Sequence, residues 1–117
     1  MKYTGSIFKE NKYHNKKCEY KGLKFDSVKE RNWYINLENL QNLGKISELK
    51  RQVEFVLIET FKLDNKTYRK TKYIADFTYE TPDGKFHVVD TKGFKTKEYQ
   101  LKKKLMAWKY GIEIEEV

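Results

Sequence analysis

The chain has 117 residues, a net charge of +8 and a pI of about 9.4, with 36% charged and 15% aromatic residues. That length gives one domain (1–117) with one sizeable core, and so aromatic a composition argues against disorder. No stretch is apolar enough to span a membrane, no signal peptide is read, and Cys18 alone cannot form an internal disulfide, so a reducing cytoplasm fits.

The charge favours a polyanionic partner. Residues 1–25 form a basic N-terminal arm or hairpin, where seven lysines face two acids. Tyr3, Phe8, Tyr13, Tyr20 and Phe25 interleave with them, Lys16 and Lys17 among them. Lysine on phosphate and aromatic stacking on bases is one use of such a stretch. Packing of the aromatics on a sheet is the other. His14 reads as a surface histidine, and Cys18 to Phe25 alternates around Gly22 as a small hairpin.

Asp26-Ser27 opens a helix running to about Leu43 and stopped by Gly44. Ser27 and Glu30 have capping-box spacing. Glu30 also heads an apolar stripe with Trp33, Leu37, Leu40 and Tyr34, which aims it at the core edge. Residues 46–63 read as one long, bent strand, followed by a turn at Asp64-Asn65-Lys66. Gln52 on this strand is either an ordinary polar strand residue or one that reaches the hairpin's acids from the neighbouring strand. Arg69, Lys70 and Lys72 make a basic approach to the next element.

That element is a hairpin over residues 73–93, closed by Pro82-Asp83-Gly84. With Asp83 central, Thr81 faces Lys85 and Asp76 faces Asp90. Alternation puts Asp90 and Lys92 on one face, with Ile74, Phe86 and Val88, and turns Thr91 away. Opposed residues lie about 4.5–5.5 Å apart at Cβ, and like charges so placed destabilise a sheet. Carboxylates on an apolar face need partners. Lys92 can neutralise one, and a divalent cation with oxygen ligands and water, such as magnesium, suits the pair. An exposed Asp–Lys pair is the competing account.

Thr96 caps a second helix over about 97–110. Leu101, Leu105 and Trp108 are its expected core stripe. Lys102, Lys103, Lys104 and Lys109 run without an intervening acid, which makes a phosphate track or a solvated face. Ile112 to Val117 is a closing strand. The sequence thus predicts a mixed α/β fold: helix, three-stranded antiparallel meander, helix, strand, with helices on both faces of a mixed sheet.

Asp76 followed by Asp90-Thr91-Lys92 resembles the signature of the PD-(D/E)XK nuclease superfamily. Further blocks resemble a small, mostly phage-borne family placed in that class by fold resemblance. These are Asn15-Lys16-Lys17, Gly22 to Ser27 with Glu30, Leu49 with Gln52, Tyr73 to Phe77, Asp90 to Gly93 and Lys102 to Leu105. The resemblance covers nearly the whole chain. It implies a restriction-endonuclease-like core and a metal-dependent DNA endonuclease, using magnesium with manganese able to substitute. Asp76 and Asp90 would be metal ligands, Thr91 would offer its backbone carbonyl at most, Glu30 would complete the shell or orient a water, and Lys92 would hold the attacking water or stabilise developing charge. Lys16, Lys17, Lys70, Lys72, Lys102, Lys103 and Lys104 would contact the DNA backbone. The implied substrate is double-stranded or branched DNA, such as a Holliday junction in phage recombination or replication, cut by a homodimer in the host cytoplasm. The alternatives are a non-catalytic nucleic-acid-binding protein on the same fold and an RNA nuclease.

Overall fold

Residues 17–117 are described by a computed structural model; the expectations at Tyr3, Phe8, Tyr13, His14 and Lys16 lie outside the described residues. The chain divides into two units, Met1–Asn36 and Leu37–Val117.

In the first unit, β1 (Cys18–Tyr20) and β2 (Leu23–Phe25) pair antiparallel, with Cys18 opposite Phe25. Lys21 and Gly22 link them with φ of 53° and 79°, the two positive values that a type I′ turn requires. The expected small hairpin is therefore present. Ser27 Oγ accepts from Glu30 N at 3.0 Å and caps α1 (Val28–Asn42). Tyr34 on α1 lies 5.4 Å from the Phe25 ring and 6.2 Å from that of Tyr20.

The second unit takes up the chain from Leu37, and α1 ends in it. Lys45 N donates to Leu40 O and Gly44 N to Gln41 O, with Gly44 at φ 76°. This is a Schellman cap, which glycine accommodates without Cβ strain. The strands that follow are β3 (Ser47–Ile58), β4 (Phe61–Leu63), β5 (Lys66–Tyr68), β6 (Thr71–Glu80) and β7 (Phe86–Asp90). After them come α2 (Lys97–Tyr110) and β8 (Glu115–Glu116). Residues 46–63 are thus not one strand. β3 stops at Ile58, and β4 pairs with β5 as a separate two-stranded arm. The apolar run misled because Phe61 and Leu63 are apolar yet exposed; the turn at Asp64-Asn65 pairs them locally with Tyr68 and Lys66.

The main sheet has the order β3-β6-β7-β8. Its first two pairings are antiparallel and β7–β8 is parallel, joined through α2, as a parallel connection requires. The fold is mixed α/β with a mixed sheet. Leu57, Tyr73, Ala75, Val88 and Ile114 from the sheet form one buried core with Tyr99 and Met106 of α2.

α2 begins and ends where expected. Thr96 Oγ1 accepts from Tyr99 N at 3.0 Å, and Gly111 closes the helix at φ 65°. Its buried stripe differs. Tyr99 and Met106 are the buried pair, whereas Leu101 is 56% and Trp108 77% exposed; of the expected stripe only Leu105 packs on the core. Both sets have i, i+7 spacing, so periodicity alone could not choose between them. Met106→Ala is expected to lose about 2–5 kcal/mol in urea denaturation through the cavity it leaves. Trp108→Ala should stay within about 0.5 kcal/mol. Equal losses would mean that the Trp108 side of α2 is the packed one.

Candidate active site

The β6–β7 hairpin has the register expected from its sequence. Glu80 pairs with Phe86, Tyr79 with His87, Thr78 with Val88 and Phe77 with Val89. Thr81 N donates to Lys85 O at 3.0 Å, and Gly84, at φ 83°, donates to Thr81 O. The loop keeps this register without a shift. Asp76 and Asp90 are the next residues along.

At that point the strands depart from regular alternation. Tyr73 and Ala75 share the core with α2, and so does Val88 on β7. Val89 therefore points to the opposite face, and its partner Phe77 with it. Ala75 and Phe77 should share a face in a regular strand, so the alternation slips at Asp76. On β3, Gln52 lies level with the slip, between the pairs Arg51–Phe77 and Val53–Ala75. Gln52 has φ 52°, a left-handed conformation that costs a non-glycine residue on the order of 1–3 kcal/mol. Such strain survives only where its surroundings enforce it, and it clusters at functional sites.

The slip brings together side chains that regular strands would separate. Asp90 is 1% exposed and Asp76 8%. Tyr73 donates its hydroxyl to Asp90 Oδ2 at 2.7 Å. Lys92 donates its backbone N–H to Asp90 Oδ1 at 2.8 Å and its ammonium to Oδ2 at 3.3 Å. The first of these bonds turns the chain just past the end of β7. Thr91 consequently does not point away, which corrects the expectation from alternation. It is buried, and both its N–H and its hydroxyl donate to Asp76 Oδ2 at 2.8 Å. Asp76 Oδ1 makes no hydrogen bond among the described residues.

The electrostatics follow from this geometry. Burial pushes the Asp76 carboxyl above its ordinary value, and the Asp90 charge adds to the push. The Thr91 bonds and the Lys92 charge oppose it. Burial likewise pushes the Tyr73 hydroxyl up, and its bond to Asp90 adds to that, so it stays a donor. Tyr99 is also raised by burial and by donating to Glu116 at 2.8 Å. That bond, aided by Lys103, holds Glu116 below its ordinary value. The Lys92 ammonium sits 5.9 Å from the Tyr99 ring centre.

Among the described residues no group of three or more His, Cys, Asp or Glu side chains forms a metal-binding cluster, so the acids here are a pair. Glu30 lies in the first unit, buried in the first turn of α1. Lys17 is exposed just ahead of β1. Lys70 and Lys72 flank Glu54 at 2.8 and 3.5 Å, Lys102 pairs with Glu98 and Lys103 with Glu116, and Lys104 is exposed. Tyr73, Tyr99, Glu116 and the Thr91 hydroxyl are parts of the cluster that the sequence pattern did not reveal. Only the need of a buried tyrosine for a hydrogen-bond partner hinted at the first two.

No helix among the described residues is long and apolar enough to cross a membrane. Comparison with curated proteins finds no match, and comparison with solved structures finds none. One family model, described as a protein of unknown function (DUF1064), matches residues 10–115. That span covers most of each unit, with the slip at Asp76 and the Asp90–Lys92 turn, and the chain accordingly belongs to the DUF1064 family.

Proposed function

We propose that the protein is a magnesium-dependent DNA endonuclease with a PD-(D/E)XK-like site made by Asp76, Asp90 and Lys92. The observation that carries this reading is the buried Asp76–Asp90 pair, held at a strained slip in two strands, with one carboxylate oxygen that accepts no hydrogen bond from the described residues. A structural ion pair has no use for a second buried acid, whose charge raises the proton affinity of the first. The element order α1, β3, β6, β7, α2, β8 is compatible with a restriction-endonuclease-like core carrying β4–β5 as an insertion.

The donor set suits a hard cation. Asp76 Oδ1 accepts no hydrogen bond from the described residues, both acids are oxygen donors, and magnesium keeps several waters where protein ligands are few. Asp76 and Asp90 would hold it, with manganese as substitute. When bound, the ion supplies a water acidified toward neutral pH and charge stabilisation on the phosphoryl oxygens. The protein's own groups do the rest. Thr91 fixes the Asp76 rotamer through two hydrogen bonds. Tyr73 and the Lys92 N–H fix Asp90. The half-exposed Lys92 ammonium can swing from Asp90 to an attacking water or to the negative charge that develops on the phosphate. The hydroxyl of Tyr73 stays protonated and takes no part as a base.

Lysines outside this cluster hold the backbone and carry no sequence information. Replacing Lys102, Lys103 and Lys104 together with alanine is expected to weaken DNA binding uniformly across sequences. For every phosphate no longer neutralised, the slope of the salt dependence should flatten by about one. Lys104, which has no ion pair among the described residues, should account for more of the change than Lys103, which Glu116 holds. An unchanged slope would mean that this helix face is only solvated. The reading as a whole is tested by incubating the protein with linear, supercoiled, single-stranded and four-way-junction DNA, and with RNA, in magnesium, manganese or EDTA. Cleavage that needs the metal supports it. Binding without cleavage under every condition would favour a binding protein, and cleavage of RNA alone an RNA nuclease. Junction cleavage by a homodimer would place two sites on two strands.

A further inference from the structure

The β4–β5 arm places an aromatic pair in the open. Phe61 and Tyr68 face each other across the arm with ring centres 4.9 Å apart and planes 9° from parallel, yet they are 48% and 38% exposed. Alternation puts Leu63 and Lys66 on the same face, and the Lys66 ammonium lies 5.1 Å from the Tyr68 ring centre. The arm is held in shape. Asp64 and Asn65 both have positive φ, as a tight hairpin turn requires, and Lys70 N donates to Thr60 Oγ1 at 3.0 Å across its base. Isolated two-stranded hairpins are marginal in water. Leaving the arm's largest apolar side chains uncovered makes sense if something else covers them.

The arm is rooted beside a groove that leads to the candidate site. A hollow of about 440 Å³ is lined by apolar Ile58, Leu101 and Leu105 and by Lys70, Lys72 and Lys102. A second, of about 320 Å³, shares Lys72, Glu98 and Lys102 with it and reaches Tyr73, Tyr99 and Lys92. The two hollows adjoin at these residues and make a trough beside β6, from the foot of the arm to the Lys92 ammonium. From Lys70 to Ile74, the β6 end of the lining, the chain runs about 13 Å, at about 3.3 Å per residue. Glu54 and Glu98 pair with the lysines here at solvent-accessible positions, where such pairs are worth about 0–1 kcal/mol and yield readily to a phosphate.

We propose that the arm and the trough bind an unpaired DNA strand, so that the substrate presents a single-stranded segment beside the phosphate to be cut. This rests on the nuclease reading of the Asp76–Asp90 site. The occupant follows from the lining. A duplex offers phosphates and sugars and keeps its base faces stacked on each other, so exposed rings and an apolar trough gain little from it. An unpaired strand offers both a charged backbone for the lysines and free base faces for Phe61, Tyr68 and the apolar side chains.

The test is fluorescence anisotropy in EDTA at one fixed low salt concentration, so that binding is read without cleavage. The probes are a labelled oligothymidylate about 12 nucleotides long, within the usual range of single-strand sites, and a duplex of the same length. The single strand should bind more tightly than the duplex. Phe61→Ala and Tyr68→Ala should each weaken single-strand binding about tenfold, as expected when a stacking platform is removed, and leave duplex binding nearly unchanged. Phe61→Trp should restore it, which separates stacking from mere stability of the arm. The proposal is overturned by equal or tighter duplex binding, by alanine variants that bind like wild type, or by no binding to either probe. Cleavage in magnesium is scored separately. Tight single-strand binding without cleavage would sink the nuclease reading and leave the arm and trough as a strand-binding surface alone. Cleavage that ignores strand pairing and the loss of both rings would do the reverse.

Discussion

Asp76→Asn, Asp90→Asn and Lys92→Ala are each expected to lower cleavage by at least about 10²–10³-fold, the usual cost of one group that stabilises developing charge. DNA binding in EDTA should stay within about threefold for the two asparagine variants, which keep every lysine that meets the backbone, whereas Lys92→Ala gives up the phosphate contact at the end of the trough. The three variants fail for different reasons. Asp76→Asn keeps an acceptor for Thr91 and removes only the charge and the unbonded oxygen. Asp90→Asn also replaces an oxygen that Tyr73 or Lys92 addresses, so Tyr73 must reorient. Lys92→Ala removes the ammonium but keeps the backbone bond to Asp90 Oδ1. The measurement is single-turnover cleavage of the best substrate in magnesium, beside anisotropy in EDTA. A variant that cuts at the wild-type rate removes its residue from the site.

The extent to which the site was legible follows from what fixes each part. The hairpin register was readable because Pro82-Asp83-Gly84 sets the loop and a one-residue slip would have inverted both faces. Both helix starts were readable because Ser27 and Thr96 satisfy backbone donors within one turn, a purely local event. The slip at Asp76 was not readable. It depends on Gln52 adopting a left-handed conformation 24 positions earlier, and glutamine carries no local signal for that. Tyr73 was missed with it, since regular alternation puts Tyr73 and Asp76 on opposite faces. The exposed Trp108 stripe was misread for another reason. Two apolar stripes share α2, and burial chose the one whose Tyr99 also reaches Glu116. Long-range complementarity of that kind leaves no trace in spacing.

Asp76→Asn should melt higher than wild type in EDTA at pH 7, and magnesium should reverse the order. Like charges facing each other would implicate either acid, but the structure separates them. Among the described residues Asp90 accepts from Tyr73 and twice from Lys92, whereas Asp76 is bonded through one oxygen only and has its carboxyl raised by burial. A carboxyl raised in the folded state binds its proton more tightly there than in the unfolded chain. Stability therefore falls as pH rises from the ordinary carboxylate value through the raised one, and the loss is complete above it. The asparagine side chain of the variant never ionises, so variant and wild type should converge at acid pH and separate as pH climbs through that window. Each 1 kcal/mol moves the melting temperature of a domain this size by about 3–6 °C. Magnesium at tenfold its dissociation constant adds about 1.4 kcal/mol to a protein that binds it only when folded. Wild type should gain that increment, and Asp76→Asn, with a charge and an oxygen ligand removed, should gain little. Thermal melts of both proteins across pH, in EDTA and in magnesium, with sodium chloride matching the ionic strength, decide the matter. If Asp76→Asn melts lower in EDTA at every pH and gains from magnesium as wild type does, Asp76 is only the structural partner of Thr91, and the paired acids serve the turn after β7 rather than a metal.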